Sequence, residues 1–344
     1  MRLWSAANRP GETILDGRTL IGRFGDEILQ GGHLAALLRT WLRRRPWWIE
    51  LQAINREGWR AAWRRYRIQR AILSTPPVFT LENGEEEVRV LTWKRDWINL
   101  IWTLKSFYRF SGAHFPLYIH DGGLAAEDKH ALLAHFPNAI LISRADADSK
   151  VETILQARGL SRCLLYRRRN PTTLKLFDFF LLSSARTIIS MDSDIIFFRR
   201  PSELIDGACP PNRYNRDESY FYTLGLEELQ RRFGFFPVSH INSGLSRLSR
   251  GSIDFDAVEK CLQDQDLFAD QWVTEQTLHA LCSNPHPPEL LPGHYLVSTK
   301  PGLTDDLVCK HYPGTGRYLL YEEGMRYLID AGFCRELRSA VSLP

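Results

Sequence analysis

Apolar and polar positions along this chain change period near residue 75. From about Leu37 to Ile72 the apolar residues recur at helical spacing, interrupted at Pro46. A proline suits the first turn of a new helix, where its missing N–H costs nothing. Trp59, Trp63 and Tyr66 fall on one face of this pattern, and Arg60, Arg64 and Arg67 on the adjacent one. Ser74 to Pro77 breaks the helix, which predicts a helical N-terminal segment over 1–77 and a main domain over 78–344. Asn83-Gly84 then lies between two apolar runs, the pattern of a tight hairpin over 78–90. From Val88 onward short apolar strands alternate with helical stretches. Strands are predicted at 88–92, 116–120, 139–143, 187–190 and 195–198. Helices are predicted from Asp96, as cap, to Tyr108, over 127–135 and over 173–184. Strands spaced by helices of this length need crossover connections, so the fold class is α/β with a mostly parallel sheet flanked by helices. Residues 202–240 read as a loop-rich insertion with Tyr214, Tyr220, Phe221 and Tyr222.

Composition adds three constraints. At 44% hydrophobic and 24% charged, the 344 residues form a globular chain able to bury a full core. Six cysteines without a Cys-x-x-Cys pair argue against structural zinc and for reduced thiols. No apolar leader opens the chain, and no stretch approaches the roughly 18 residues of a membrane span, so a cytoplasmic protein is expected. The charge is uneven. Residues 1–75 hold 14 arginines and no lysine against six acidic residues, a net +8, which leaves −4 for the rest of a chain whose total is +4. This basic, Trp-rich segment points to packing on the main domain, with peripheral contact to the inner face of a membrane as the further expectation. Nucleic acid is not an expected partner.

Chemistry concentrates at Asp192-Ser193-Asp194, between the apolar runs 187–191 and 195–198. Ligands in open α/β sheets bind beyond the carboxyl ends of strands, where this pair would sit. Two hard carboxylates there suit Mn²⁺ or Mg²⁺; the alternative is a solvated strand-end turn. A second element is Lys310-His311-Tyr-Pro-Gly314-Thr-Gly-Arg317. His311 is a candidate third ligand, Gly314 allows close approach to phosphate oxygens, and Arg317 can hold them bidentately. A loop histidine is the plain alternative. Asp121 reads equally as a cleft residue or an Asp-Gly turn, and Arg167-Arg168-Arg169 as a solvated basic loop or an anion site.

Taken in order, these parts resemble the GT-A fold of nucleotide-sugar glycosyltransferases, and more loosely glycosyltransferase family 8, the glycogenin and bacterial galactosyl/glucosyltransferase group. The resemblance spans roughly residues 88–320. That family carries an Asp-x-Asp motif, matched by Asp192 and Asp194, and a later His-x-x-Gly-x-x-Lys motif, matched by His311, Gly314 and Arg317 with arginine for lysine. An Asn-x-Gly element lies between them, matched by Asn242-Ser243-Gly244. A basic residue precedes the Asp-x-Asp motif on a helix, matched by Lys175. The family's Asp-Gln pair corresponds to Asp270-Gln271 or, shifted, to Glu275-Gln276. After the first strand, where the family has an acidic residue against the nucleoside, this chain has Thr92-Trp93-Lys94-Arg95, and Trp93 could stack on a base instead.

The resemblance implies transfer of a hexose from a nucleotide diphosphate sugar, a UDP-sugar by preference, to a hydroxyl acceptor such as a carbohydrate or glycolipid. It implies Asp192, Asp194 and His311 as metal ligands. Thr92, Trp93, Lys175, Ser193, Gly314 and Arg317 would line the donor, and Asn242 would position sugars beside Asp194. Retention of anomeric configuration is implied. An inverting enzyme would need Asp270 or Glu275 as general base. Outside this class stand a haloacid-dehalogenase-like phosphatase, with Asp305-Asp306 as its late acidic pair, and an inactive membrane-associated partner protein.

Overall fold

The structure, a computed structural model, describes residues 58–207, 212–218, 221–234, 237–270, 273–283 and 288–339. The chain divides into two compact units, residues 1–67 and 68–344. Most of the predicted helical pattern 37–72, with Pro46, lies outside the described residues. Its C-terminal end is the helix α1, Trp59–Arg70.

The second unit follows the predicted alternation closely. β1 (Glu86–Thr92) is followed by α2 (Trp97–Ser111), β2 (Leu117–Asp121), α3 (Ala126–His135) and β3 (Ile140–Ile142). Two helices absent from the sequence reading come next, α4 (Arg144–Ala157) and α5 (Ser161–Arg169). They precede α6 (Leu174–Leu181), β4 (Thr187–Met191) and β5 (Ile195–Phe197). The region read as loop-rich holds β6 (Arg213–Asp217) and α7 (Leu226–Phe233). Then come β7 (Ile241–Ser249), α8 (Phe255–Cys261), α9 (Gln265–Ala269), α10 (Thr274–Cys282), β8 (Glu289–Leu290), β9 (Tyr295–Val297) and β10 (Cys309–His311).

Among the described residues, one sheet runs in the order β3-β2-β1-β4-β7-β6-β9-β10-β5, with β8 beside β6. The pairs β1–β2, β2–β3, β1–β4, β6–β8, β6–β9 and β9–β10 are parallel. Three pairs are antiparallel: β4–β7, β6–β7 and β5–β10. The sheet separates two apolar cores, and period-2 alternation decides which side each residue joins. Val88, Val90, Ile189 and Met191 face one core, shared with Trp102 and Phe107 of α2. Leu91 and Ile188 face the other, shared with Phe177 and Phe179 of α6.

Three local expectations are corrected. No hairpin forms at Asn83-Gly84. Val78 and Leu81 donate their N–H groups to the carbonyls of His135 and His114, and the first strand starts only at Glu86. Asp96 precedes α2 but makes no side-chain cap, because its carboxylate turns to Arg317, 3.4 Å away, and to Arg95. Arg167 is neither solvated nor in a loop. It is buried in α5, with Nε 2.6 Å and Nη2 2.8 Å from the Asp178 carboxylate and Nη1 2.8 Å from Asp148. Forked pairing of this kind satisfies a buried guanidinium that would otherwise be costly.

Candidate metal centre

The chain runs outward from β1 to β2 and β3 on one side, then returns to place β4 on β1's other side. Such a reversal opens a crevice at the carboxyl ends of the two central strands. β1 ends at Thr92, and β4 ends at Met191, immediately before Asp192-Ser193-Asp194. Strand pairing then delivers the remaining groups. β7 runs antiparallel to β4 with Leu245 opposite Met191, so Gly244 lies beside Asp192 and its carbonyl accepts the Asp192 N–H at 2.7 Å. β5 continues directly from Asp194 and pairs antiparallel with β10, placing His311 opposite Ile195.

Asp192, Asp194 and His311 therefore meet. One ligand atom from each lies within 4.8 Å of the other two, the only such group of His, Cys, Asp or Glu among the described residues. His311 Nε2 is 3.2 Å from Asp194 Oδ1 and 3.9 Å from Asp192 Oδ2. The other ring nitrogen, Nδ1, is 3.0 Å from Asn242 Oδ1. That amide is oriented on both sides: its NH₂ donates to Asp217 Oδ2 at 3.0 Å, and its oxygen also accepts the Gly244 N–H. Nδ1 is thus the donor to Asn242, and a neutral ring presents the Nε2 lone pair to two carboxylates. Three electron-rich atoms facing one another fit a divalent cation, with Asn242 as the outer partner that fixes the imidazole. Burial pulls the pKa of His311 down, but Asp194 and then Asp192 outweigh that and raise it. Asp194 is itself held ionised, since His311 and Arg317 outweigh its burial.

Close packing enforces this arrangement. A Cβ on Gly244 would stand 2.4 Å from His311 Cε1, so only glycine leaves room for the ring. Gly314 has φ +51°, a turn conformation that glycine adopts without strain, and it begins the turn that leads into Arg317.

Two cations flank the acids. Lys175 Nζ, near the start of α6, lies 2.9 Å from Asp192 Oδ1. Its pKa is raised because Asp192 and then Glu275 outweigh its burial. Arg317 Nη2 lies 3.4 Å from both Asp194 Oδ2 and Asp96 Oδ1, while its buried Nε has no hydrogen-bond partner. The Asp96 contact had no signal in the sequence, where Asp96 read as a cap.

The two Asp-Gln candidates differ in their surroundings. Glu275 is buried at the start of α10. It accepts a hydrogen bond from Ser243 Oγ at 2.8 Å and lies 3.1 Å from His279 Nε2. Burial opposes its charge, but Lys175 first, then His279 and Ser243, hold its pKa at about 2. Gln276 accepts the Ser243 N–H at 3.1 Å and donates to the Phe221 carbonyl. Asp270 instead accepts from Thr223 Oγ1 at 2.8 Å and from the Val273 N–H, while its carbonyl accepts from the Tyr166 hydroxyl. Gln271 lies outside the described residues. Ser193 is buried in the turn itself.

At the β1 end, Gly122 packs beneath Trp93. A Cβ there would stand 2.5 Å from the indole. The Thr92 hydroxyl is buried without a hydrogen-bond partner. The Asp121 carboxylate accepts from the Gly123 and Leu124 N–H groups, each at 2.7 Å, and pairs with Lys129 at 2.6 Å. Its turn role is therefore filled. Asp305 and Asp306 are exposed and stand apart from the metal group.

No family model matches the chain, and no curated protein does. Among solved structures, the chain is similar to galactosyltransferase LgtC in complex with donor and acceptor sugar analogs. That match has 14% identity over 74% of this chain and 95% of that one, with a TM-score of 0.48. It is also similar to the WbbM bifunctional glycosyltransferase (12% identity, 77% and 52% covered, TM-score 0.44). A third is mouse xyloside xylosyltransferase 1 (14% identity, 64% and 87% covered, TM-score 0.41).

Proposed function

We propose that the protein is a metal-dependent glycosyltransferase that moves a hexose from a nucleotide diphosphate sugar to a hydroxyl acceptor. The observation that carries this reading is the convergence of Asp192, Asp194 and His311, flanked by Lys175 and Arg317, at the crevice where the sheet order reverses. In this reading Asp192, Asp194 and His311 hold Mn²⁺ or Mg²⁺, which when bound neutralises charge on the donor diphosphate. Lys175 and Arg317 supply the rest of that neutralisation as fixed charges. The unpartnered Nε of Arg317 suits a phosphate oxygen. Trp93 and Thr92 line the nucleoside end, Trp93 by stacking and Thr92 through its free hydroxyl. Ser193 keeps the metal turn compact, and Gly314 lets the loop turn into Arg317.

We assign the Asp-Gln pair to Glu275-Gln276. Glu275 anchors Lys175, and Gln276 holds the backbone beside Asn242. Asn242 acts through His311 as well as bordering the sugar site. A carboxylate held near pKa 2 by a lysine, a histidine and a serine is a poor general base, and Asp270 serves the loop before α10. These environments favour retention over inversion.

The test is a panel of nucleotide sugars with and without Mn²⁺, read by thermal shift and by donor hydrolysis. A UDP-hexose should stabilise the protein only with the metal, and slow hydrolysis should appear without acceptor. Stabilisation by no nucleotide sugar, together with turnover of simple phosphate monoesters, would favour the phosphatase reading instead.

A further inference from the structure

The helix α1 carries chemistry of its own. Its twelve residues include five arginines, at positions 60, 64, 65, 67 and 70, and no acidic residue. Trp59, Arg60, Trp63, Arg64 and Arg67 are all exposed. At about 100° per residue these five occupy one continuous side of the helix. Ala62 is the helix's one fully buried residue. Trp59 is 63% and Trp63 57% exposed, a large indole surface for a helix to present to water. The aromatic edge is also preassembled. Trp63 stacks on Tyr66 with centroids 5.4 Å apart, and the Arg60 guanidinium lies 5.3 Å from the Trp59 ring.

Neighbouring tryptophans beside a row of arginines match the layering of a membrane interface. Indoles settle at headgroup depth, and guanidinium groups pair with lipid phosphates. A single-stranded nucleic acid would use the same charge but needs open aromatic faces for its bases. Here one face of each indole is already taken, by Tyr66 and by Arg60. No described helix is long and apolar enough to cross a bilayer, so any attachment through this helix lies at the surface. We propose that the Trp59/Trp63–Arg60/Arg64/Arg67 face of α1 docks reversibly on an anionic phospholipid surface. The inference is independent of the metal centre.

The full-length protein is sedimented with phosphatidylcholine vesicles, with and without phosphatidylglycerol, at low and high salt. Binding is expected only with the anionic lipid and should fall as salt rises. Each arginine near such a surface contributes a factor of about five, so Arg60→Gln/Arg64→Gln/Arg67→Gln should weaken partition about a hundredfold. The corresponding lysine variant should retain binding. Trp59→Ala/Trp63→Ala should lose fluorescence quenching by bromine-labelled lipid. All five positions are exposed, so circular dichroism should show an unchanged fold. Equal partition onto neutral vesicles, undiminished binding by the glutamine variant, or a lysine variant as weak as the glutamine one overturns the proposal. So does retention of polyuridylate RNA in preference to vesicles, which would assign the face to nucleic acid.

Discussion

Replacing Gly244 by alanine adds one methyl group at the centre of the proposed metal site. That Cβ would stand 2.4 Å from His311 Cε1, 2.8 Å from His311 Nδ1 and 2.9 Å from Asn242 Oδ1. Carbon atoms pack no closer than about 3.5 Å, so the imidazole must retreat by about 1 Å. Metal–ligand distances tolerate only about 0.2 Å. The same displacement strains the Nδ1–Asn242 hydrogen bond that fixes the ring. Disturbing such an outer partner costs about 10–100-fold in metal affinity, the expected loss for Mn²⁺. Overpacking a filled site costs about 1–3 kcal/mol of stability. Gly244 does not have a left-handed backbone, so alanine adds no conformational penalty of that kind. The assay is Mn²⁺ titration by calorimetry, paired with urea unfolding of the metal-free protein. The decisive arm is Gly244→Ala in a His311→Ala background, where the ring is gone and most of the stability cost should vanish. Unchanged Mn²⁺ affinity in the single variant, or an equal stability cost with and without His311, would refute the reasoning.

Other consequences follow from the same contacts. Asp194→Asn should lower metal-dependent turnover by orders of magnitude. It should also cost about 1–3 kcal/mol, because His311 and Arg317 both lose an anion, and paired kinetics and urea melts check this. Glu275→Gln should weaken donor binding through Lys175 while leaving the acid limb of the rate profile in place; disappearance of that limb would mark Glu275 as a base. The same residue predicts a pH-dependent stability. Its folded pKa of about 2 lies below the unfolded value near 4.5, so its contribution of about 3 kcal/mol is present above pH 4.5 and is lost as pH falls towards 2. The stability gap between wild type and Glu275→Gln should therefore close over that window. Glu323→Gln should reduce Mn²⁺ affinity about tenfold without touching the metal, because the Glu323 carboxylate grips both residues flanking His311. It lies 2.7 Å from Lys310 Nζ and 3.2 Å from the Tyr312 hydroxyl.

The alternation of periods along the chain was enough to establish an α/β fold, because burial on a sheet face and on a helix stripe imprints periods of 2 and 3.6 directly on the residues. The segment 187–198 was legible for the same reason. Two acids interrupting an apolar double strand stand where a sheet's ligand edge must be. The helices over 144–157 and 161–169 were not legible. Arg167 is buried against Asp178 of α6 and reaches Asp148 of α4, a pairing between helices that local spacing does not reveal. His311 stood as a candidate ligand beside a plain loop histidine, Asn242 entered only through a resemblance, and nothing local said that one holds the other. That was decided by two antiparallel registers, Leu245 opposite Met191 and His311 opposite Ile195. Tertiary structure likewise turned Asp96 from a cap into a partner of Arg317. It also surrounded Glu275, but not Asp270, with Lys175, Ser243 and His279. Sequence alone determines which residues must be buried and with what period. Which distant strands pair, and at what register, depends on the packing of the whole sheet, and the chemistry of this site lies in that register.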